Sequence, residues 1–280
     1  MPELPEVDHV VGLLNRTVVG KKIADVTLLR HDLMKNLSPR AVAGRLRGCI
    51  IEQTERRGKF ILIHLSRGWT LLVHLRMTGG FAYGQLHSPL PRYTRAIFTF
   101  TDGSRLLYED RRNLGVIYLV RTEGLSRLKE LNKLGPEPLG ADFTLSAFRD
   151  ALGMSRRTIK EILLDQRVVV GLGNIYAAEA LHRAGIRPTR KAYEVARSLH
   201  RVKALYQAIR ETLQRAISAR TETALHFTFL DAPPRASREI IEECFLVYGR
   251  EGEPCMRCGA RIRRLRQGGR STYYCPRCQR

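Results

Sequence analysis

Two groups of residues, one near each end of the chain, have the types and spacing to do chemistry. The first lies in MPELPEV, residues 1–7, where Glu3 and Glu6 closely follow a proline that is the second residue. Proline suits the first turn of a helix and carboxylates suit its positive end, so this stretch predicts the start of a helix. The start of a helix does not by itself require proline at position 2, so the role of Pro2 stays open at this point.

The second group is a set of four cysteines with the spacing C-x2-C-x16-C-x2-C: Cys255, Cys258, Cys275 and Cys278. Each C-x-x-C pair can form a tight knuckle, and two knuckles can surround one Zn²⁺ with a tetrahedron of thiolates. Four thiolates leave no open coordination position, so we expect one structural zinc ion. A redox role for either pair is the alternative, and it is disfavoured because neither pair lies beside a βα unit.

The charge of the chain indicates a polyanionic partner. Its 280 residues include 48 Lys and Arg against 27 Asp and Glu, a net charge of +21 with a pI near 10.4. Neutralising phosphates and releasing their counterions favours nucleic acid. A membrane surface is the competitor, but the basic residues are spread over the chain and no apolar run reaches membrane-spanning length. No secretory segment is recognisable, so we expect the reducing cytoplasm, with Cys49 and Cys244 as small core residues.

Short strands dominate the first half of the chain. β-Branched and aromatic residues predict strands at 59–66, 69–76, 95–100, 105–110 and 115–120. Turn residues at 66–68 and 101–104 join neighbouring runs as hairpins. Many short strands with tight turns indicate an antiparallel sandwich or barrel. These strands, with the helix that precedes them, predict an N-terminal domain of residues 1–132.

Helical spacing replaces the strand pattern after a Pro- and Gly-rich linker at 133–142. Apolar residues at intervals of three to four predict helices near 144–152, 157–164, 174–184 and 192–217, with Thr144 as an N-cap. Between two of them, GLGN predicts a tight turn that aims backbone N–H groups outward. We therefore expect an α+β chain, with a helical domain over 143–246 and a zinc ribbon over 247–280, in which an arginine-rich hairpin spans 262–272.

Eight motifs occur along the chain in this order: MPELPEV, RRGK, HLRMTG, DRRNLG, LLDQ, GLGNIYAAEAL, VYGREGEPC and GRSTYYCPRCQ. Together they resemble the bacterial formamidopyrimidine-DNA glycosylases of the Fpg/Nei superfamily. Leu4 follows the Fpg branch, since the sister Nei branch usually has Gly there. The resemblance implies that the N-terminal domain is a catalytic, antiparallel β-sandwich with flanking helices, followed by a helix–two-turns–helix and a zinc ribbon. It also implies a monomer that acts on double-stranded DNA containing a damaged base or an abasic site.

The resemblance implies that Pro2 is a nucleophile. Removal of the initiator methionine frees its nitrogen, and an α-amino group has a pKa of about 7.7–8.0 against about 10.4 for Lys, so more of it is neutral at neutral pH. Attack on C1′ expels the damaged base, and elimination of the 3′ and then the 5′ phosphate leaves a gap. The implied helpers are Glu3 as proton donor to the opening sugar, Glu6 as proton handler, Lys59 in β-elimination and Arg270 in δ-elimination. For both glutamates the alternative is a partnership with the helix dipole alone.

The same resemblance implies a set of DNA contacts. Met77, Arg112 and Leu114 match side chains that fill the gap left by a flipped base, although the family usually has Phe at the third position. Core packing is the alternative for Met77 and Leu114. The implied phosphate contacts are His74, Lys160 and Asn174, and further candidates for DNA binding are Arg156 and Tyr93.

Two segments depart from the family. RYTR at 92–95, which contains Tyr93, stands where the family commonly has a pair of histidines, so one DNA contact is changed. The segment 218–237 occupies the place of the lesion-capping loop but lacks its glycine pair and downstream arginine. We expect a bifunctional glycosylase and lyase that removes oxidised or ring-opened purines. The alternatives are a relative that prefers oxidised pyrimidines or hydantoins and a catalytically silent protein that binds damaged DNA.

Overall fold

The structure, a computed structural model, describes residues 1–219, 226–231 and 245–280. They divide into two compact units. The N-terminal unit contains residues 1–132 together with 226–231, and the C-terminal unit contains residues 133–219 and 245–280. Within the described residues, no helix has the length and apolar character needed to cross a membrane.

The N-terminal unit consists of two β-sheets and the helices beside them. Its elements are α1 (Leu4–Thr17), β1 (Ile23–Leu28), α2 (Pro39–Leu46), β2 (Ile51–Arg57), β3 (Phe60–Leu65), β4 (Trp69–His74), β5 (Gly79–Gln85), β6 (Thr94–Phe100), β7 (Ser104–Asp110), β8 (Val116–Arg121) and α3 (Lys129–Asn132). Short 3₁₀ turns lie at His31–Leu33 and Thr122–Arg127. A last strand, β9 (Phe227–Phe229), joins this unit from far along the chain.

The two sheets pack as a sandwich. Strands β2-β3-β4-β8 form one sheet and β1-β6-β7-β5-β9 form the other, and β5 and β9 are the parallel neighbours in otherwise antiparallel sheets. One hydrophobic core combines side chains from both sheets and α1, including Leu14, Val26, Ile61, Phe98 and Ile117. The predicted β-sandwich is confirmed, and each of the five predicted strands is present.

The sequence pattern does not predict β1, β2 or β5. Strand β2 is mostly polar, with only Ile51 and Thr54 buried, so it lacks an apolar run. Strand β5 contains three glycines, which strands usually avoid because glycine has no side chain to pack. Cys49 is fully buried in the core as predicted, whereas Cys244 lies outside the described residues.

Helix α1 runs antiparallel to β2, and this fixes the position of its first turn. Asn15 Nδ2 donates to Thr54 O at 3.0 Å, and Arg56 Nε donates to Asp8 Oδ1 at 3.2 Å. From the first contact to the second, the residue number decreases in α1, from 15 to 8, and increases in β2, from 54 to 56. The first turn of α1 therefore lies at the end of β2 that leads into the turn containing Lys59.

The C-terminal unit is a set of helices followed by a small hairpin. Its elements are α4 (Leu145–Gly153), α5 (Ile159–Leu163), α6 (Asn174–Arg183), α7 (Ala192–Ala196), α8 (Leu199–Ala219), β10 (Arg263–Gln267) and β11 (Arg270–Tyr274). Thr144 caps α4 as predicted, because its hydroxyl oxygen accepts the N–H of Ala147 at 3.2 Å. The predicted hairpin of the ribbon is also present as the antiparallel pair β10–β11.

The single helix predicted over 192–217 is wrong, since α7 and α8 are separate helices. Ser198 begins α8, because its hydroxyl oxygen accepts the N–H of Arg201 at 3.4 Å. Val202 N–H donates to Ser198 O at 3.0 Å and starts the new helical ladder. The apolar spacing continues across this capping residue, which is why periodicity alone does not reveal the break.

Strand β9 lies within a segment that the sequence pattern assigns to the helical domain. Phe227 pairs with Phe81 of β5 in parallel register. A Cβ atom on Gly80 would lie 2.8 Å from His226 O, so the close approach of these two segments requires glycine at position 80. The other parts of 218–237, namely 220–225 and 232–237, lie outside the described residues.

Candidate active site and nucleic-acid interface

The first turn of α1 holds two buried carboxylates directly behind Pro2. Glu3 is the N-cap residue and is 2% exposed, and Glu6 is 6% exposed. Glu3 N–H donates to Glu6 Oε2 at 2.6 Å, and the reciprocal bond of a capping box is also present. Pro2 is buried while Met1 is half exposed, so the methionine is accessible for removal. Loss of Met1 leaves the Pro2 nitrogen as a secondary amine beside the two carboxylates.

Lys59 and His74 lie close together where β3 begins and β4 ends. His74 pairs with Phe60, the residue after Lys59, and the side chains of Lys59 and His74 are both buried. Burial, followed by the charges of Arg76 and Lys59, lowers the pKa of His74 to about 3, so its ring is neutral at neutral pH. Arg76 N–H donates to His74 Nδ1 at 3.0 Å. The ring proton therefore lies on Nε2, where it can serve as a hydrogen-bond donor.

The predicted wedge residues lie on two neighbouring turns, one after β4 and one after β7. Met77 is 42% exposed and Leu114 is 43% exposed, and Arg112 is exposed as well. Arg112 Nη1 donates to Met77 Sδ at 3.0 Å. The exposure of the two apolar side chains excludes the alternative in which they pack in the core.

A fully buried carboxylate joins these two turns. Asp110 Oδ1 accepts the hydroxyl of Thr78 and the N–H of Arg112, the latter at 3.1 Å. Asp110 Oδ2 accepts the N–H of Gly115 at 2.7 Å. Thr78 Oγ1 also accepts the Arg112 N–H, at 3.0 Å. One side chain at the end of β7 thus binds the backbone of the turn that follows it and the Thr78 hydroxyl of the turn after β4.

The two turns approach each other over Tyr108. A Cβ atom on Gly115 would overlap the Tyr108 hydroxyl, and a Cβ atom on Gly79 would overlap the same hydroxyl and Leu75 O. Neither position therefore accepts a side chain. Burial and the nearby charge of Asp110 raise the pKa of Tyr108, so its hydroxyl stays protonated.

Tyr93 lies beside the second of the two turns. Its carbonyl accepts the N–H of Asp110 at 3.0 Å, and the guanidinium groups of Arg92 and Arg95 lie 5.5 and 5.9 Å from its ring centroid. Arg95 Nε also donates to Asn113 Oδ1 at 2.6 Å, within the turn. The RYTR segment therefore places two cations and an aromatic ring next to the predicted wedge.

In the C-terminal unit, Lys160 and Asn174 meet under the hairpin that carries Arg270. Asn174 is the first residue of α6, and its Nδ2 donates to Ser271 O at 2.9 Å. Lys160 is 1% exposed, and its Nζ donates to Thr272 Oγ1 at 2.7 Å and to Ser271 O at 3.3 Å. Arg270, the next residue along the hairpin, is exposed. Lys160 and Asn174 thus support the hairpin from below, and their direct contact with phosphate stays a prediction.

Gln166 holds the tight turn that precedes α6. Its Nε2 donates to Leu164 O at 3.1 Å and to Leu172 O at 2.9 Å, and its Oε1 accepts the N–H of Gly171 at 2.9 Å. Gly171 has φ +88°, a left-handed conformation that favours glycine. This small network fixes the direction in which α6 begins, and with it the position of Asn174.

Arg156 is exposed on a basic surface of the C-terminal unit. It lines a cavity of about 1050 Å³ whose other lining residues include Arg149, Lys191, Tyr193 and Arg197. The guanidinium of Arg197 lies 5.2 Å from the ring centroid of Tyr193. Arg156 does not line the smaller cavity beside Arg270, so the structure does not bring these two predicted residues into one pocket.

The four cysteine sulfurs of the ribbon converge on one point. All four lie within 4.8 Å of one another, with 3.9 Å between Cys255 and Cys278 and 3.4 Å between Cys258 and Cys275. A tetrahedral zinc ion with Zn–S bonds of about 2.3 Å separates its sulfurs by about 3.8 Å. The donor set and its spacing therefore fit Zn²⁺.

Helix α6 supports the ribbon with two buried side chains, Glu179 and His182, each 2% exposed. The Glu179 carboxylate accepts the backbone N–H groups of residues 246, 247 and 248 at 2.8 to 3.0 Å. One helical turn later, His182 Nε2 lies 3.4 Å from Cys255 Sγ. A thiolate bound to metal accepts such an N–H bond, so His182 is placed to orient Cys255.

Three family models match consecutive parts of the chain. The formamidopyrimidine-DNA glycosylase N-terminal domain matches residues 1–117, the H2TH domain of the same enzymes matches 134–227, and the zinc finger found in FPG and IleRS matches 252–280. The formamidopyrimidine-DNA glycosylase of Pelotomaculum thermopropionicum is 42% identical over 100% of this chain and 99% of its own length. That of Bacillus subtilis is 38% identical over 100% and 99% of the two chains.

The chain belongs to the formamidopyrimidine-DNA glycosylase family.

Solved structures of this family have the same fold. Lactococcus lactis Fpg (MutM) in complex with DNA containing an oxidized pyrimidine matches with a TM-score of 0.90 at 33% identity, covering 100% of both chains. The same enzyme in complex with abasic-site DNA matches with a TM-score of 0.89 at 32% identity, covering 99% of both chains. The α+β architecture with a sandwich, a helix–two-turns–helix and a ribbon is therefore the architecture of this family.

The zinc-finger match covers the four converging cysteines, so the ribbon of this glycosylase-family chain binds one structural zinc ion. Cys255, Cys258, Cys275 and Cys278 hold it, and their four thiolates complete its coordination. The metal stabilises the fold of the ribbon and supplies no open position for a substrate.

Four positioning residues were not singled out by the sequence analysis: the buried Asp110, Glu179 and His182 and the half-buried Gln166. Asp110, Gln166 and Glu179 lie in the motifs DRRNLG, LLDQ and GLGNIYAAEAL, so the motifs could have drawn attention to these three residues. Asp110, Gln166 and Glu179 act on backbone groups that folding brings to them, and His182 acts on the sulfur of Cys255. The motif could reveal that these residues matter, but not which turn each one holds.

Proposed function

We propose that this chain is a bifunctional DNA glycosylase and abasic-site lyase of base excision repair, which removes oxidised or ring-opened purines from duplex DNA. One observation carries the proposal: Pro2 lies directly before two buried, hydrogen-bonded carboxylates in a chain of this family. A protein that only binds damaged DNA needs no amine at this position.

The first step uses the Pro2 nitrogen freed by loss of Met1. The neutral secondary amine attacks C1′, and the glycosidic bond breaks with its electron pair leaving on the base, which takes up a proton. Glu6 receives the proton that the amine loses, and Glu3 donates a proton to O4′ as the sugar ring opens. The product is an iminium ion between the Pro2 nitrogen and C1′.

The iminium ion then permits strand cleavage. It makes the C2′ proton acidic, so loss of that proton expels the 3′ phosphate, and a second elimination expels the 5′ phosphate. Lys59 is buried near His74 at the end of β2 that faces the first turn of α1, which suits it for the first elimination. Arg270 is exposed at the tip of the hairpin held by Lys160 and Asn174, which suits it for the phosphate lost second.

DNA binding uses the two wedge turns of the N-terminal unit and the basic and polar side chains of the C-terminal unit. Met77, Arg112 and Leu114 fill the space left by the extruded nucleotide, and His74 donates its Nε2–H to a phosphate without carrying a charge. Asn174, Lys160 and Arg156 add phosphate contacts from the C-terminal unit, and Tyr93 contacts DNA beside the wedge. The partner is duplex DNA with a damaged base or an abasic site, bound by one copy of the chain. Because that partner is the bacterial chromosome, the enzyme works in the cytoplasm, at the nucleoid.

Borohydride trapping tests the proposal directly. Incubating the chain with duplex DNA containing an abasic site and borohydride should reduce the iminium ion to a stable protein–DNA adduct. Pro2→Gly, or any extension that keeps a residue before Pro2, should abolish or greatly weaken the adduct. A tag of the same length at the C-terminus is the matched control and should leave trapping unchanged.

Two outcomes would contradict the proposal. Undiminished trapping by a chain with a blocked N-terminus would assign the nucleophile to another residue. Tight binding of abasic-site duplex by the processed chain, without any adduct or strand cleavage, would favour the second candidate, a silent damaged-DNA-binding protein.

A further inference from the structure

Asp110 has no solvent exposure, and every hydrogen bond that its carboxylate accepts comes from the turns that carry the predicted wedge. It accepts the Thr78 hydroxyl from the turn after β4 and two backbone N–H groups, of Arg112 and Gly115, from the turn after β7. Thr78 Oγ1 in turn accepts the same Arg112 N–H, so one donor is shared between two oxygens. These bonds form a closed network that includes both turns.

Both turns contain a backbone conformation that needs external support. Arg76 has φ +57° and Asn113 has φ +56°, values that residues with a Cβ atom adopt at a cost. Such residues persist in the left-handed region when surrounding bonds determine the backbone around them. Around Asn113 those bonds come from Asp110, which accepts the N–H groups of Arg112 and Gly115, and from Arg95 Nε, which donates to Asn113 Oδ1. At Arg76 the N–H donates to His74 Nδ1, and two residues later the Thr78 hydroxyl joins the turn to Asp110.

The wedge side chains themselves are exposed and make few contacts. Met77 is exposed and contacts Arg112 through a single bond from Nη1 to Sδ, which a thioether accepts only weakly. Holding the two turns together lowers the ordering cost of insertion, while the exposed side chains of Met77 and Arg112 can still adapt to the base pair. Buried networks of this kind rigidify the site they support when all their groups are satisfied.

We propose that Asp110 and Thr78 form a clamp that holds both wedge turns ready for insertion before DNA is bound, and that this clamp controls extrusion of the base rather than bond breaking at C1′. The inference rests on the proposed function, because it assigns Met77 and Arg112 to the wedge. Asp110 and Thr78 are positioning residues, since they act through the turns that carry Met77 and Arg112.

Thr78→Val is the informative variant, because it keeps the shape of the side chain and removes the bridging hydroxyl. Base extrusion is followed by stopped-flow fluorescence of 2-aminopurine placed opposite the lesion, and excision by single-turnover cleavage of the same duplex. We expect both rates to fall about fivefold to tenfold, the effect of one buried hydrogen bond. Cleavage of an abasic site in single-stranded DNA, which has no partner base to wedge, should change less than about twofold.

Three further variants make the test specific. Thr78→Ser restores the hydroxyl and should restore extrusion. Asp110→Asn replaces one acceptor by an N–H donor facing Gly115 and should slow extrusion more than Thr78→Val. Thr27→Val, at an exposed position of β1, is the matched control and should behave as the unmodified chain.

Equal losses on duplex and single-stranded substrates in Thr78→Val, or no loss on either, would overturn the clamp. An unmodified chain that cleaves neither substrate would instead overturn the proposed function. The single-stranded abasic site therefore separates the two failures.

Discussion

The two units hold the turns predicted to contact DNA in different ways. In the N-terminal unit, a single buried carboxylate, Asp110, holds two turns above a large apolar core shared by both sheets. In the C-terminal unit, the hairpin belongs to a ribbon whose small core includes Cys255 and Cys275, so metal ligands are themselves core residues. A buried polar side chain can organise a turn where a core already surrounds it. A segment too small to build such a core needs a metal ion and supporting side chains from a neighbouring helix.

The strongest test of this comparison is removal of one zinc ligand. Cys258→Ser should release the zinc, because serine is not a thiolate donor, and the hairpin carrying Arg270 should lose its fold. We expect a large loss of DNA binding, because the contacts made by the hairpin are lost with its fold. Thermal unfolding of the N-terminal unit should keep its transition, since none of its core depends on the metal. Zinc content, binding of a lesion duplex and differential scanning calorimetry measure these three effects.

Cys49→Ala is the matched control from the other unit. Cys49 is fully buried in the sandwich core, where its Sγ contacts Arg45 O at 3.2 Å. Its replacement should lower the stability of the N-terminal unit and leave one zinc per chain. If Cys258→Ser keeps its zinc, or unfolds the sandwich together with the ribbon, the two units do not have the separate supports described here.

A smaller effect concerns proton uptake in the N-terminal unit. The pKa of His74 is lowered to about 3 in the folded chain, against about 6.5 when the histidine is exposed. Between these values the unfolded chain binds a proton that the folded chain does not, so stability falls as pH drops from 6.5 towards 3 and is unaffected above 6.5. The slope from this residue is at most about 1.4 kcal/mol per pH unit.

His74→Gln should flatten this slope, because the amide stays neutral and its oxygen can still accept the Arg76 N–H. Urea unfolding at pH 4.5, 5.5 and 7 measures it, with the exposed His31→Gln as control. Addition of a chelator should not alter the His74 contribution, since the sandwich holds no metal ligand among its described residues. An unchanged slope in His74→Gln would mean that another group takes up the proton.

Local patterns predicted what is local in this chain. The cysteine spacing predicted the ribbon because each knuckle is formed by two cysteines three residues apart. Apolar runs predicted the buried strands because each strand is formed by consecutive residues. The start of α1 at Leu4 and the cap at Thr144 also follow from neighbouring residues. For these elements the residues that decide the structure stand next to each other in the sequence.

The features that escaped prediction depend on residues far apart in the chain. Strand β9 exists because Gly80 permits His226 to approach β5, and the two residues are separated by about half of the chain. Asp110 matters because Thr78 donates to it from another turn, and Glu179 matters because residues 246–248 return to α6. The resemblance to a family named DNA contacts such as Lys160, but not its burial beneath the hairpin. Distance along the sequence, more than residue type, separated what could be predicted from what could not.

The prediction with the smallest expected effect concerns the segment between α8 and β9. Its residues 220–225 are compared with neither the carboxylate network of the N-terminal unit nor the zinc site of the ribbon. Residues 220–225 lie outside the described residues, so the argument rests on their sequence. In the family, a capping loop closes over flipped 8-oxoguanine mainly with backbone N–H groups, and its glycines reach backbone angles that other residues adopt only at a cost. Arg220 and Thr221 fall about where those glycines belong, and Leu225 about where the arginine belongs.

The same backbone cage is therefore not expected to form in this chain. Fapy purines are ring-opened and stack more weakly, so they depend less on a cap, and an abasic site has no base to cap. We expect efficient cleavage at abasic sites, clear activity on Fapy purines or hydantoins, and excision of 8-oxoguanine opposite cytosine that is slower than that of Fapy-guanine. Single-turnover rates on matched duplexes measure this order. Replacing Arg220 and Thr221 together by glycine should raise the 8-oxoguanine rate and leave the abasic-site rate unchanged. If the unmodified chain already removes 8-oxoguanine as fast as Fapy-guanine, a loop without glycines builds an equivalent cap, and the altered segment is no handicap.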